Sequence, residues 1–406
     1  MRTAPRGAKD DAVPGAAAEA VPRLPSARLA AWLRLARTRG VGPRTAAGLL
    51  AVFGDPESIF RAGRDALAVH AGPALARTLA LAPTPDTERL VEATLRWREA
   101  PGHHVLALGE PGYPALLAQI PDPPLLLYIK GRVDLLAGPC LAVVGSRNAS
   151  QQGKANAQAF AEALSGAGLR IVSGLALGID AAAHEGALRR PGGTIAVVGT
   201  GPDLVYPARN RELAARIAET GCIASEYPIG TPPLPSNFPK RNRIISGLAA
   251  GVLVVEAAAR SGSLITARQA AEQGRDVFAI PGSIHAALAK GCHELIREGA
   301  KLVDTAHDVL EALALSPLAA MRVPVVRQPA EEGDVLLLAL GHGPVAPDAL
   351  QAALGWQAGE LGARLLVLEL QGQLERLPGG WVQRVVTGAT TCHPTTCEVD
   401  KADKQR

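Results

Sequence analysis

The sequence predicts an α/β protein built around a parallel sheet, and three patterns support that fold class. Short apolar runs rich in Val, Ile and Leu recur in the middle of the chain and alternate with segments of helical periodicity, as in a parallel sheet covered by helices on both faces. A helical hairpin precedes this region, and three helices with a glycine-turned ribbon follow it. Together they predict a Rossmann-like parallel sheet core with an N-terminal helix-hairpin-helix (SAM-like) domain and a C-terminal winged helix.

The N-terminal domain is predicted from two helices joined by a glycine turn. Ser26 is a candidate N-cap, and Gly40-Val41-Gly42-Pro43 ends the first helix before a second begins at Arg44. The glycines leave backbone N–H groups free at a helix start, where a phosphate can bind. Five arginines stand in this stretch without an acid among them: Arg28, Arg34, Arg37, Arg39 and Arg44. The alternative is an ordinary helical hairpin with a solvated basic face.

The core strands are predicted to end in loops that suit an anion. The predicted strands span residues 141–144, 170–172, 195–198, 252–255 and 277–280. Four of them lead into small residues: Gly145-Ser146-Arg147, Ser173-Gly174, Gly199-Thr200-Gly201 and Pro281-Gly282-Ser283. Because ligands of open α/β sheets bind at the carboxyl ends of strands, these loops predict an anion-binding rim with free N–H donors. Tight turns that need glycine anyway are the alternative for any single loop.

The most informative stretch is a basic segment that follows a run of prolines and carries three cations without an acid. Lys240 is a mobile point charge, and Arg241 or Arg243 can bind a phosphate as a bidentate fork. Asn242 can bond a phosphate or a base edge through its amide. Phe238 either stacks on a base or belongs to a small core cluster.

A second loop repeats this chemistry one strand later. Ser263 is the candidate N-cap of a helix predicted at Ser263–Gln273, and Gly262 and Arg260 stand just before it. With Gly145-Ser146-Arg147 and the basic segment, this loop predicts a contiguous rim at one edge of the sheet. Repeated phosphate contacts with one stacked base are typical of a single strand held by its backbone, largely regardless of sequence.

The C-terminal domain is predicted to be a winged helix with little affinity for DNA. Its predicted elements are helices at residues 334–340, 347–354 and 359–370 and a ribbon at 374–384 around Pro378-Gly379-Gly380. Between residues 333 and 387 five acids outnumber three bases, which gives a net charge of −2. A recognition helix for duplex DNA should be basic, so a protein-facing or regulatory role is favoured.

These observations predict six segments along the chain. They are a disordered lead-in (1–24), the helix-hairpin-helix domain (25–100), the Rossmann-like DNA-binding domain (101–320), a linker (321–332), the winged helix (333–387) and a disordered tail (388–406). Within the central domain, the Pro-rich residues 113–136 are interpreted as a connector.

No motif for catalysis, a cofactor or a metal is complete. The P-loop spacing fails at Gly153-Lys154. Cys392-His393 with Cys397 is too weak a pattern to predict a metal site. Asp180 and His184 lie four residues apart, but without a nucleophile or a metal nearby a structural or hydrogen-bonding role is favoured over an acid/base pair. We therefore expect no cofactor, no metal and no catalytic residue.

Composition restricts the function further. Of the 406 residues 48% are hydrophobic, 20% charged and 3% aromatic, and the net charge is +4. This is a globular composition, and so few aromatics exclude a protein that stacks many bases. Five cysteines do not make a disulfide framework, and neither a signal peptide nor a membrane span is recognisable, so a cytoplasmic location is expected.

Several motifs, in order, resemble those of the DNA-processing protein A (DprA/Smf) family. They are Ala142–Arg147, Ser173–Asp180, Phe238–Arg243, Arg260–Thr266 and Ala279–Ser283. The resemblance covers about Ser26 to Arg384 and implies a bacterial protein that binds incoming single-stranded DNA in natural transformation. It implies that the protein protects the strand and loads the RecA recombinase onto it, without catalysis. By matching position, Arg147 and the Lys240–Arg243 cluster would hold the strand.

The resemblance also implies a homodimer formed through the Rossmann-like domain. Leu295 and Ile296 are the candidate apolar contacts for it, although burial against the sheet explains them equally well.

Two other functions compete with DNA binding as interpretations of the sequence. A Rossmann-like nucleotide phosphoribohydrolase also uses glycine-rich strand ends, and Pro191-Gly192-Gly193-Thr194 is superficially similar to its motif, but no carboxylate follows closely. A transcription factor that reads duplex DNA would use the winged helix, which is acidic.

Overall fold

The computed structural model describes residues 22–314, 335–341 and 343–385. The predicted linker, the predicted tail with Cys392, His393 and Cys397, and all but the last three residues of the predicted lead-in lie outside the described residues. Within the described ranges, no helix is both long enough and apolar enough to cross a membrane.

The N-terminal domain is a group of helices that packs on the edge of the central sheet. Its helices are α1 (Ser26–Arg37), α2 (Pro43–Phe53), α3 (Pro56–Arg61), α4 (Arg64–Leu79) and α5 (Pro85–Arg98). α1 buries Leu29, Trp32 and Leu33 in one apolar cluster with Val105 and Tyr128, which belong to the sheet. The helix-hairpin-helix pattern is thus stabilised by apolar burial shared with the core.

Two of the five arginines between Ser26 and Arg44, Arg28 and Arg34, make polar contacts within the chain. Arg28 Nε lies 2.7 Å from Glu110 Oε1. Arg34 donates to the carbonyl oxygen of Leu81 at 2.7 Å and lies over the ring of Phe60, 3.8 Å from its centroid. At these two positions the positive charge is used in packing, by Arg28 against the central domain and by Arg34 within the helical domain.

Nine strands in the described residues form one mostly parallel sheet. They are β1 (His103–Ala107), β2 (Leu126–Gly131), β3 (Cys140–Val144), β4 (Arg170–Ser173), β5 (Thr194–Val197), β6 (Cys222–Ser225), β7 (Gly251–Val254), β8 (Asp276–Ala279) and β9 (Lys301–Leu302). Their order is β1-β2-β6-β5-β4-β3-β7-β8-β9. Only β1–β2 and β2–β6 pair antiparallel, and the predicted parallel core is confirmed.

Helices cover both faces of this sheet. One face carries α6 (Ala115–Ala118), α10 (Asn237–Leu248), α11 (Gly262–Glu272) and α12 (Lys290–Arg297), and the other carries α7 (Gln151–Gly166), α8 (Ile179–Ala187), α9 (Arg211–Thr220) and α13 (Ala306–Ala312). Both faces need this cover because apolar side chains alternate between them along each strand. On β3, Ala142 and Val144 join one apolar cluster, whereas Leu141 and Val143 join the other.

The interpretation of residues 113–136 as a connector is wrong in its second half. β2 lies there, buried and paired to β1 on one side and β6 on the other. Pro123-Pro124 lies in the loop before this strand, separated from it by Leu125. The prolines therefore mark the entry to a strand, since proline cannot donate a hydrogen bond within one.

The C-terminal domain is the predicted winged helix. It contains α14 (Val335–Leu340), α15 (Pro347–Leu354), α16 (Ala358–Leu370) and the hairpin β10 (Leu374–Arg376) and β11 (Val382–Arg384). Leu336, Leu350, Leu361 and Val382 share its separate apolar core.

The winged helix touches the central domain through a buried carboxylate. Glu375, on β10, is 8% exposed, and its Oε2 accepts a hydrogen bond of 2.7 Å from the backbone N–H of Gln151 at the start of α7. An anion is favoured at a helix N-terminus because the helix dipole and the unpaired N–H groups point towards it. One of the acids of this domain is thus used in an interdomain contact.

His184 is buried as a neutral side chain. Its Nδ1 lies 2.7 Å from Thr194 Oγ1, whose own hydrogen goes to the carbonyl oxygen of Ile171 at 2.7 Å. Nδ1 must therefore donate and carry the proton. Burial, together with the positive charge of Arg241, lowers the pKa of His184 from 6.5 to about 3.

We predict that His184 makes the fold sensitive to acid. Because the folded pKa lies below the unfolded value, its contribution is complete above pH 6.5 and is lost as the pH falls towards 3. Asn in its place can keep a donor without titrating. Urea unfolding should show that the stability advantage of the wild type over His184→Asn shrinks by about 2 kcal/mol between pH 7 and pH 5. An equal pH dependence of the two proteins would contradict this.

We predict that Glu375 protects the start of α7. Glu375→Ala removes the acceptor, so hydrogen–deuterium exchange at the Gln151 amide should become about tenfold faster. Glu369→Gln is the matched control, because Glu369 pairs with Arg376 inside the winged helix. Unchanged exchange in Glu375→Ala, or an equal increase in both variants, would show that the contact does not hold the domains together.

Candidate functional site

A cleft of about 660 Å³ opens at the carboxyl ends of β3 and β7. The two strands are neighbours, but the chain leaves β3 towards β4 and leaves β7 towards β8, so the loops behind them diverge. Such a topological switch point is the usual ligand crevice of an open α/β sheet. Eight of the predicted binding residues line it: Gly145, Ser146, Arg147, Phe238, Arg241, Asn242, Gly262 and Ser263.

The loop that carries Arg147 is fixed by close backbone contacts. A Cβ on Gly145 would lie 2.8 Å from the carbonyl oxygen of Glu256, and one on Gly178, whose φ is +78°, would overlap the backbone of Ser146. The N–H of Ser146 donates to that same Glu256 oxygen at 2.7 Å. Glycine is required at both positions, and the loop presents the exposed Arg147 side chain at the cleft.

The N–H donors at the start of α7 are occupied by acceptors of the chain itself. Ser150 Oγ accepts from the N–H of Gly153 at 2.9 Å, and Glu375 accepts from Gln151. Glu256 in turn accepts from the N–H and the hydroxyl of Ser150, and burial raises the pKa of its carboxyl. The prediction of free N–H donors is wrong for this helix. The exposed guanidinium groups of Arg147 and Arg260 supply the positive charge of the cleft.

Arg241 lies at the floor of the cleft and is 4% exposed. Its Nη1 donates to the carbonyl oxygen of Val197 at 2.6 Å. Burial lowers the pKa of the guanidinium to about 10, and the carboxylate of Asp180 opposes that shift. Arg241 therefore remains protonated at neutral pH and supplies a fixed positive charge beneath the cleft.

Asp180 organises the loop after β4. Its Oδ2 accepts from the N–H groups of Gly174 at 3.1 Å and Ala176 at 3.3 Å. A Cβ on Gly174 would overlap both this carboxylate and the Arg241 guanidinium, so glycine lets the two charges approach. Burial raises the pKa of Asp180, and Arg241 counteracts it. Asp180 thus has the hydrogen-bonding role that its sequence context favoured.

Phe238 faces the cleft with Tyr206 and Arg147 beside it. The start of α10 is anchored by Asn237, whose Nδ2 donates to the carbonyl oxygen of Gly199 at 3.0 Å. The centroids of the Phe238 and Tyr206 rings are 5.4 Å apart, and Arg147 Cζ lies 6.0 Å from the Phe238 centroid. Tyr206 was not predicted, although it ends an apolar run after a glycine turn, Leu204-Val205-Tyr206.

Four predicted residues do not line the cleft. Ser173 is buried and donates to the carbonyl oxygen of Val143 at 2.6 Å, and Gly174 lies beneath the surface as described above. Lys240 is exposed on the first turn of α10 but outside the lining. Arg243 points elsewhere, as its own contacts show.

Arg243 is held by two carboxylates. Its Nη2 pairs with Glu226, and its Nε lies 3.2 Å from Asp122 Oδ2. The Arg243 and Glu226 side chains are each 15% exposed. A guanidinium neutralised in this way attracts a phosphate far less than an unpaired one.

The two candidate dimer residues differ in exposure. Leu295 is 4% exposed within the apolar cluster on one face of the chain's own sheet, and Ile296 packs partly against the same cluster. Leu295 is therefore buried against the chain's own sheet. The dimer stays a prediction.

No metal site was found among the described residues: no group of three or more His, Cys, Asp or Glu side chains there could hold an ion.

Comparison with known families covers most of the chain. The model described as DNA recombination-mediator protein A matches residues 104–314, the DprA-like N-terminal HHH domain matches 26–79, and the DprA winged helix domain matches 323–380.

Curated relatives and a solved structure agree with these matches. Protein Smf of Escherichia coli (strain K12) is 42% identical over 301 residues, which cover 72% of this chain and 80% of Smf. DNA processing protein DprA of Streptococcus pneumoniae (strain ATCC BAA-255 / R6) is 54% identical over 198 residues, 49% of this chain and 70% of that protein. The X-ray structure of DprA from Streptococcus pneumoniae is similar with a TM-score of 0.61 and 40% identity, covering 71% of this chain and 98% of that one. The chain therefore belongs to the DNA recombination-mediator protein A family, which includes DprA and Smf.

Proposed function

We propose that the cleft at the β3/β7 switch point binds single-stranded DNA through its sugar-phosphate backbone and one stacked base. The observation that carries this proposal is the placement of Phe238 inside a cleft whose exposed charges, Arg147 and Arg260, are both positive. Guanidinium groups bind phosphates in any sequence, and an aromatic ring stacks on any base. In a duplex the base faces are covered by their neighbours, so a ring in a cleft favours a single strand.

The buried charges position this surface. Arg241, neutralised in part by Asp180, holds the start of α10 against the end of β5 through Val197. Arg147 and Arg260 then contact phosphates directly, and Asn242 bonds a phosphate or a base edge.

The cleft offers little to a hydrolase. Asp180 is the carboxylate among its described lining residues, and it already accepts two backbone N–H groups and faces Arg241. A carboxylate engaged in this way is a poor general base, which supports binding over the phosphoribohydrolase alternative. Release of free base from nucleoside monophosphates by the purified protein would favour that alternative instead.

The decisive experiment is a titration of fluorescent single-stranded and duplex oligonucleotides at several salt concentrations. The wild type should prefer the single strand, and affinity should fall steeply with salt. Arg147→Ala should weaken binding about tenfold for all sequences alike and reduce the slope of log K against log salt by about 0.7.

Arg216→Ala is the matched control, because Arg216 is exposed on α9, outside the cleft lining. It should change neither affinity nor slope. A tight preference for duplex, or equal effects of the two arginine variants, would show that the binding surface lies elsewhere.

We further propose that the protein acts in the cytoplasm as a homodimer that protects incoming DNA during natural transformation and loads RecA onto it. The description of the matching family as a recombination mediator supports this, since a mediator must hold the strand that the recombinase will coat.

RecA loading can be tested on single-stranded DNA already coated by single-stranded-DNA-binding protein. Adding this protein should shorten the lag of the DNA-dependent RecA ATPase about fivefold or more, because a strand held by its backbone in the cleft is delivered directly. Arg147→Ala should lose most of that effect and Arg216→Ala should keep it. An unchanged lag with the wild type would remove the mediator role and leave DNA binding intact.

A further inference from the structure

Tyr206 is an aromatic residue whose contact with Phe238 leaves about half of its surface in solvent. It follows β5 and lines the same cleft as Phe238, yet 49% of its surface is exposed. The chain has only five Phe, four Trp and four Tyr, and its large buried rings, such as Trp32 and Tyr128, lie elsewhere. An aromatic residue used only for packing would be buried, because burial of its area is what stabilises a fold.

The spacing around Phe238 leaves room for a base on one side. Arg147 Cζ is 6.0 Å from the centroid of the Phe238 ring. For comparison, Arg34 is in direct contact with Phe60, and its Cζ is 3.8 Å from the centroid of the Phe60 ring. Stacked planes are spaced by about 3.4 Å in nucleic acids, so a base between two partners needs about 6.8 Å. A movement of less than about 1 Å by the long, exposed Arg147 side chain would admit one.

The spacing between Phe238 and Tyr206 is different. Their centroids are 5.4 Å apart and their planes are inclined by 39°, which is the geometry of two rings in contact. No base fits between them. A base that contacts Tyr206 must therefore use its solvent-facing surface and must differ from the base between Arg147 and Phe238.

We propose that Tyr206 is a second stacking platform, which binds a nucleobase next to the one held by Phe238. The inference rests on the proposed binding of single-stranded DNA and extends it. The cleft then contacts two bases of the strand, while Arg147 and Arg260 contact its phosphates. Pro233 and Pro235, which also line the cleft, provide an apolar surface beside the second base.

The test separates bases from phosphates. Fluorescence anisotropy would compare an oligothymidylate with an oligonucleotide of the same length that is fully abasic, for the wild type, Tyr206→Ala and Tyr206→Phe. Tyr206→Ala should bind oligothymidylate about 5- to 100-fold more weakly, with an unchanged salt slope because no cation is lost. It should bind the abasic strand as the wild type does, and Tyr206→Phe should bind both strands normally.

Trp381→Ala serves as the matched control, because Trp381 is a comparably exposed aromatic residue, at 45%, in the winged helix. A second variant, Tyr206→Trp, reports stacking directly. The fluorescence that the added Trp contributes beyond that of the wild type should be quenched by oligothymidylate but not by the abasic strand.

Two results would overturn the proposal: an equal loss of affinity for both strands in Tyr206→Ala, or no loss for oligothymidylate. Failure of the wild type to bind oligothymidylate would instead overturn the proposed function.

Discussion

The cleft depends on the interactions of the buried guanidinium of Arg241 with Val197 and Asp180. It joins α10, which carries Phe238, to the end of β5 through Val197, and it faces Asp180, which holds the loop after β4. Removing either charge would leave the other buried without compensation, which costs about 3–5 kcal/mol in proteins. The pair adds little to overall stability compared with an apolar core. Its effect is to fix the positions of α10, the end of β5 and the loop after β4 relative to one another.

The positive charge of the cleft comes from arginine side chains and not from the N-terminus of α7. The sequence predicted free N–H donors at helix starts, but at α7 these N–H groups donate to Ser150 and Glu375. The N–H of Ser150, the residue before the helix, donates to Glu256. A helix N-terminus already facing carboxylates attracts a phosphate less than a free one. At the α7 side of the cleft, attraction must therefore come from side chains whose charge is not balanced nearby. Arg147 and Arg260 meet that condition at the surface.

The sequence was sufficient for the architecture because the architecture depends on periodic patterns. Alternating apolar runs and glycine loops identified five of the parallel strands, namely β3, β4, β5, β7 and β8, and the glycine turn and the ribbon identified the two flanking domains. The sequence did not predict β1, β2, β6 or β9; prolines precede β2, and its partner β6 lies far along the chain. Tyr206 was missed for a related reason. Its role depends on a ring 32 positions later in the chain, and no local pattern records that proximity.

The basic segment shows what a sequence pattern leaves undetermined. Lys240, Arg241 and Arg243 look equivalent in sequence, but helix geometry turns each residue by about 100° from the one before. Arg241 consequently points into the floor of the cleft, Arg243 points to Glu226 and Asp122, and Lys240 points to solvent. The usable charge at the cleft comes instead from Arg147, in a loop that follows another strand, and from Arg260. A site assembled from loops at a switch point requires the fold to bring its cations together, and a run of cations in the sequence is only a guide to where that edge lies.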